Sequence, residues 1–211
     1  MSPAATATAT DPAVRALCAA DPELARVAAG IIDLPARDRP AGFRGLASIM
    51  VQQQVSLASA AAIWGRLEAR LGAVTADRLT AQSDEVLLGC GLSRPKLRYL
   101  RAAAEAVADG SLDLQALPGL PVAAAREAMT AVTGIGRWTA DIYLLSALGH
   151  PDIWPAHDLA LQVALQAAKG LPDRPAPKAT DAIAEAWAPH RSTAARLLWA
   201  HYRVIKGRDA V

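Results

Sequence analysis

The stretch Val132-Thr133-Gly134-Ile135-Gly136-Arg137-Trp138-Thr139-Ala140 joins two helical patterns, one over 121–132 and one over 137–148. Two helices joined by so short a Gly-x-Gly turn form a compact hairpin, because glycine tolerates positive φ and lets another backbone come close. The amides of Gly134 and Gly136 then stand at the start of the second helix, where unpaired N–H groups and the helix dipole favour an anion. A DNA phosphate suits that place, and an ordinary turn between two helices would use the same residues. The second helix is apolar on nearly every face, which predicts that it is buried in the centre of the molecule.

Outward from the hairpin the periodicity stays helical. Helices are predicted over 21–31 (an Asp-Pro start), 43–51, 56–71, 83–88, 93–109 (capped by Ser93), 159–169 (ending at Gly170), 180–187 and 191–206. No stretch sustains strand alternation. The loop 171–178, with three prolines, reads as a rigid connector. The expected fold is all-α with a cleft between helical layers. Residues 1–10 read as a disordered lead-in and 11–211 as one domain.

Of the 211 residues, 53% are hydrophobic, 20% charged and only 4% aromatic; much of the apolar part is alanine, which favours helix. No apolar run reaches the roughly 18 residues needed to span a bilayer, so no membrane partner is expected. The N-terminus shows no secretory signal. Cys18 and Cys90 form no CxxC, which argues against a zinc site, an iron–sulfur cluster or a disulfide framework and fits a cytoplasmic location, at the nucleoid if the protein is bacterial. Net charge is only +2, yet Arg94, Lys96, Arg98 and Arg101 cluster, as do Arg191, Arg196, Arg203, Lys206 and Arg208. Such stretches suit a phosphate-facing side or a solvated helix face, and charge alone leaves both open.

Five pieces in order carry a resemblance: Gln53-Gln54-Val55-Ser56; Gly91-Leu92-Ser93 with Lys96; the hairpin; Trp154-Pro155-Ala156-His157-Asp158-Leu159; and Trp187-Ala188-Pro189-His190-Arg191-Ser192 leading to Trp199. Together they resemble the helix–hairpin–helix (HhH-GPD) DNA glycosylase superfamily, in particular its 3-methyladenine DNA glycosylase II (AlkA-like) branch, from about Phe43 to Tyr202. The resemblance implies a two-lobed helical fold, with the hairpin at 121–148 and a DNA-binding cleft between the lobes. It implies a monomer that flips a damaged base out of double-stranded DNA and hydrolyses its N-glycosidic bond, with no cofactor required for catalysis.

By the same resemblance Asp158, after the loop 149–155, is the catalytic acid. A carboxylate beside C1′ would stabilise the positive charge that builds on the deoxyribose, and could orient or deprotonate the attacking water. The residues alone read better as a helix N-cap, worth about 1 kcal/mol, and both roles can coexist. Asp152 and Asp141 are the fallback acids. Trp138, Trp199, Gln53 and Ile142 are assigned to the base pocket, Gln54 to the wedge that enters the gap left by the flipped base, and Gly134, Gly136, Arg137 and Thr139 to phosphate binding. The carbonyls of Thr130, Val132 and Ile135 match positions that hold a monovalent cation, Na⁺ or K⁺, in such hairpins. Branches that also nick the backbone carry a lysine where Trp138 stands, so a monofunctional enzyme is expected. Ile142 and Ala200 replace aromatics common in the branch, which implies a wider pocket. The implied substrates are alkylated purines: 3-methyladenine, 7-methylguanine and bulkier adducts such as ethenoadenine. The alternatives are deaminated or oxidised bases, or a non-enzymatic hairpin module that binds DNA without cutting.

Overall fold

The computed structural model describes residues 10–34 and 39–207, so the expected lead-in lies, except for Thr10, outside the described residues. In chain order the helices are α1 (Pro12–Ala20), α2 (Pro22–Ala29), α3 (Phe43–Gln52), α4 (Leu57–Leu71), α5 (Ala76–Thr80), α6 (Asp84–Gly89), α7 (Arg94–Ala108), α8 (Val122–Thr130), α9 (Arg137–Ser146), α10 (Leu159–Lys169), α11 (Pro177–Ala184) and α12 (Arg191–Ile205). Short 3-10 turns lie at Leu117–Gly119 and Glu185–Trp187. No strand occurs among the described residues, and no described helix is long and apolar enough to cross a membrane. The chain divides into two compact units: Met1–Arg37 with Gly149–Val211, and Asp38–Leu148.

In the first unit α1 and α2 begin alike. Asp11 and Asp21 each accept hydrogen bonds from first-turn amides, and each precedes a proline at the first helical position. α1 is an addition to the predicted helices; Val14 and Leu17 bury its inner face. α12 packs on α2 and α10. The expected 171–178 connector yields its end to α11, where Pro177 supplies the preset φ of a first-turn residue.

Asp21 ties this unit together. Its Oδ1 caps α2, while its Oδ2 accepts from Lys169 Nζ at 2.6 Å and Trp187 Nε1 at 2.7 Å. Burial opposes the charged form, but the Lys169, Trp187 and Leu24 donors outweigh it and hold the carboxyl at about 2. A carboxyl depressed on folding adds stability above its unfolded value, near 3.8, and loses it as pH falls toward 2. The thermal midpoint is therefore expected to drop between pH 4 and pH 2 more steeply for the native chain than for Asp21→Asn. Parallel slopes would remove Asp21 from the acid response.

In the second unit Leu46, Ile49, Met50 and Val51 of α3 form the centre, with α7 and α9 packed on them. α9 is buried at every residue from Thr139 to Ser146, as its all-round apolar pattern predicts. Asp141 is the exception to that pattern and is wholly buried. Arg126 of α8 meets it through Nε at 2.8 Å, and Arg137 Nε lies 3.4 Å from its other oxygen. Burial pushes the Asp141 carboxyl up against the pull of both arginines. The Arg126–Asp141 pair thus fastens the two helices of the hairpin to each other.

Candidate active site

Two glycines of the hairpin answer different constraints. Gly134 has φ +91°, and a Cβ there would sit 2.4 Å from the Tyr99 side chain. Backbone and packing both demand glycine. Gly136 is the N-cap of α9, with φ −88° and no side chain capping the helix start. It is exposed, and a Cβ there would meet nothing within 4 Å. None of the described residues stands where a side chain at 136 would go, so the position is open beside the amides of the first turn. Val132 O accepts the Ile135 amide at 3.0 Å and closes the turn.

The Gln53-Gln54 pair stands in the link between α3 and α4. Gln53 is the C-cap of α3, and its Nε2 donates to Gly134 O at 3.2 Å and to Thr139 Oγ1 at 2.7 Å. Gln54 is exposed, with φ +55°, and no other non-glycine residue among those described has positive φ. A left-handed non-glycine backbone costs on the order of 1–2 kcal/mol, so the link must be held from outside. Lys96 holds it: Nζ donates to Met50 O at 3.0 Å and Gln53 O at 2.6 Å.

In the first unit the loop after Gly149 is pinned along its length. Ser192 Oγ donates to His150 O at 2.6 Å and accepts from the Ile153 amide at 2.9 Å. Arg191 grips Asp152 through Nε at 2.6 Å and Nη2 at 2.7 Å, and this pairing draws the Asp152 carboxyl below the usual range. Trp154 Nε1 donates to Thr180 Oγ1 at 3.1 Å, and Gln162 Nε2 donates to Ala156 O at 2.9 Å. The loop delivers Asp158 to the start of α10. There Oδ1 accepts from the Leu161 amide at 3.0 Å and from Trp199 Nε1 at 3.1 Å. Cap and candidate acid are one residue, and two donors on Oδ1 fix how the carboxylate is turned.

Several expectations change in the structure. Trp199 is expected to offer a stacking face but is only 3% exposed, with its N–H given to Asp158. It therefore positions the carboxylate. Thr139 is expected on a phosphate, but it is 1% exposed and its hydroxyl takes the Gln53 amide hydrogen. The side chain serves the inside of the hairpin. Ile142 is buried, whereas Trp138 is half-buried. Ala200 does not leave space, since it packs with Val27 and Ile31. The fallback acids are both engaged by arginines, Asp141 by Arg126 and Arg137, and Asp152 by Arg191.

Much of the basic clustering is likewise internal. Arg196 donates to Leu34 O, and Arg101 holds Asp84 and Gln82 O, whereas Arg98 is exposed and lies over the Tyr99 ring. Arg208 lies outside the described residues. Sequence reasoning misses Tyr99 and Arg126. Tyr99 leaves no signal, but a lone aspartate on an apolar helix calls for a cationic partner, and Arg126 stands on the neighbouring helix of the hairpin.

The chain matches the sequence profile of HhH-GPD superfamily base excision DNA repair proteins over residues 47–190. It is similar to DNA-3-methyladenine glycosylase 1 of Schizosaccharomyces pombe, at 30% identity over 126 residues, 59% of this chain and 55% of that one. The crystal structure of DNA-3-methyladenine glycosidase from Bacillus halodurans superposes with a TM-score of 0.82 at 30% identity, covering 94% of this chain and 92% of that one. A Schizosaccharomyces pombe 3-methyladenine DNA glycosylase in complex with abasic DNA superposes at 0.83 over 95% and 100% of the two chains, with 24% identity, which shows the shared fold. The chain spans about a third to a half of the length of the curated relatives it matches.

Proposed function

The chain belongs to the HhH-GPD superfamily of base excision DNA repair proteins, and from that premise we propose that it is a monofunctional DNA glycosylase that hydrolyses the N-glycosidic bond of alkylated purines. The observation that carries the proposal is Asp158, fixed through Oδ1 by the Leu161 amide and the Trp199 indole at the end of a loop pinned by Arg191 and Ser192. In the transition state the bond from C1′ to the purine nitrogen lengthens and the sugar gains oxocarbenium character. A preset anion stabilises that charge without having to reorganise. Asp158 also accepts the proton of the water that adds to C1′. Alkylation leaves the purine cationic, so it departs with the bonding pair as a neutral base and needs no second acid. The relatives' names, 3-methyladenine glycosylases among them, support this substrate class.

The hairpin and the Gln54 link supply the hold on DNA. The amides at Gly134 and Gly136 and the half-buried Arg137 meet phosphates of double-stranded DNA. Gln54 enters the gap left by the flipped base, and Trp138 offers the aromatic face to a cationic one. The carbonyls of Thr130, Val132 and Ile135 would hold a Na⁺ or K⁺ ion; Val132 O, which accepts the Ile135 amide, keeps a second lone pair for it. When bound, the ion adds positive charge at the hairpin for a phosphate oxygen. The protein acts as a monomer in the cytoplasm, at the nucleoid in a bacterium.

The test is base release from oligonucleotides that each carry one defined lesion, followed by alkaline cleavage. Strands with 3-methyladenine or 7-methylguanine are expected to break only after alkali, and borohydride is expected to trap no covalent complex. A trapped adduct forming at the rate of release would contradict the monofunctional chemistry. Release of deaminated or oxidised bases alone would move the substrate class.

A further inference from the structure

The motif Gly91-Leu92-Ser93 with Lys96 has no part in the chemistry above. Ser93 caps α7 through the Lys96 amide, which sets Lys96 in the first turn with its side chain directed at α3. Its ammonium donates to Met50 O, in the last turn of α3, and to Gln53 O. A cation is favoured at a helix C-terminus, and Met50 O accepts from it alongside the Gln53 amide. The second bond has a further consequence. Gln53 O belongs to the peptide that links Gln53 to Gln54, so holding it fixes the plane from which the left-handed Gln54 leaves.

Gln53 is held from the other direction as well. Its Nε2 bridges Gly134 O in the hairpin turn and Thr139 Oγ1 on the buried helix behind it. Both partners accept hydrogen bonds there, which settles how the amide is turned. Gly134 is itself seated against Tyr99, on the same helix as Lys96. The base of the Gln54 link is thus tied to α7 through a main-chain carbonyl and to the hairpin through a side chain.

From this we infer that Lys96 and Gln53 are positioning residues that lock the exposed Gln54 to the phosphate-binding hairpin, so that seating the hairpin on DNA sets Gln54 at a fixed depth in the base stack. The inference rests on the glycosylase reading. A wedge whose backbone is held before contact loses less freedom on insertion. A wedge on a slack link would have to be ordered during the flip.

The experiment compares single-turnover release of 7-methylguanine from two duplexes, one with the lesion paired to cytosine and one with it unpaired in a one-nucleotide bulge. An unpaired base costs least to flip, so it depends least on the wedge. Lys96→Met is expected to slow release from the paired lesion about tenfold more than release from the bulge, and Lys96→Arg, which keeps the donors, to recover most of the difference. A 2-aminopurine placed beside the paired lesion should lose most of its unstacking signal with Lys96→Met and regain it with Lys96→Arg. If Lys96→Met does not fold, Gln53→Met carries the same comparison, since it removes the bridge to the hairpin and keeps the side-chain volume. Equal slowing on both duplexes, or none on either, would overturn the inference while leaving the glycosylase reading intact. No release from either duplex by the native chain would overturn that reading, and the inference with it.

Discussion

Asp158→Asn is expected to slow single-turnover release of an alkylated purine about 10²-fold or more, the scale of losing a positioned charge in a water-excluded site. The substitution keeps the two hydrogen bonds that Oδ1 accepts. The asparagine carbonyl oxygen can accept from the Leu161 amide and the Trp199 indole as Oδ1 does. Asparagine also caps helices about as well as aspartate. The thermal midpoint and the affinity for undamaged duplex should therefore stay near native while the charge is lost. A native rate of release from the variant would return Asp158 to the role of a cap.

Gly136→Asp is expected to lower duplex affinity by tenfold or more and to reduce the steepness of its salt dependence by about one phosphate's share. The fold should not suffer. Position 136 has an ordinary φ, open space where a Cβ would go, and the N-cap place where aspartate is a preferred residue. The variant thus sets a helix that is as stable as before, or more so, against a site now occupied by an anion. A titration by fluorescence anisotropy at several salt concentrations reads both effects. Unchanged affinity would show that no phosphate sits at the start of α9. The same substitution at Gly134 would be uninformative, because Tyr99 and the positive φ would make it a folding defect.

The helices were legible because their signals are local. Alanine content, Asp-Pro starts and the all-apolar face of α9 are each read within a few residues. α1 carries the same Asp-Pro start as α2, but its polar, alanine-rich lead-in hides it until Val14 and Leu17 are seen to be buried. Of the candidate site, the sequence singles out residues but not what each one touches. Asp158 stands out after its loop, yet that Trp199 holds it and offers no stacking face depends on α12 lying beside α10. The resemblance assigns Gln53 to the base pocket and Thr139 to a phosphate, and tertiary packing turns their side chains toward each other. The basic clusters stayed open between a phosphate-facing side and a solvated face for the same reason. Charge along a sequence does not reveal which arginines are spent on carbonyls and carboxylates inside the fold.

The most direct measurement of the central claim is chromatographic identification of the bases freed from methylated duplex DNA by the native chain. Free 3-methyladenine and 7-methylguanine should accumulate with time, with strands staying whole until alkali is added and with normal adenine and guanine retained. DNA that is bound while every methylated base stays attached would contradict the account and leave a hairpin protein that grips DNA without cutting it.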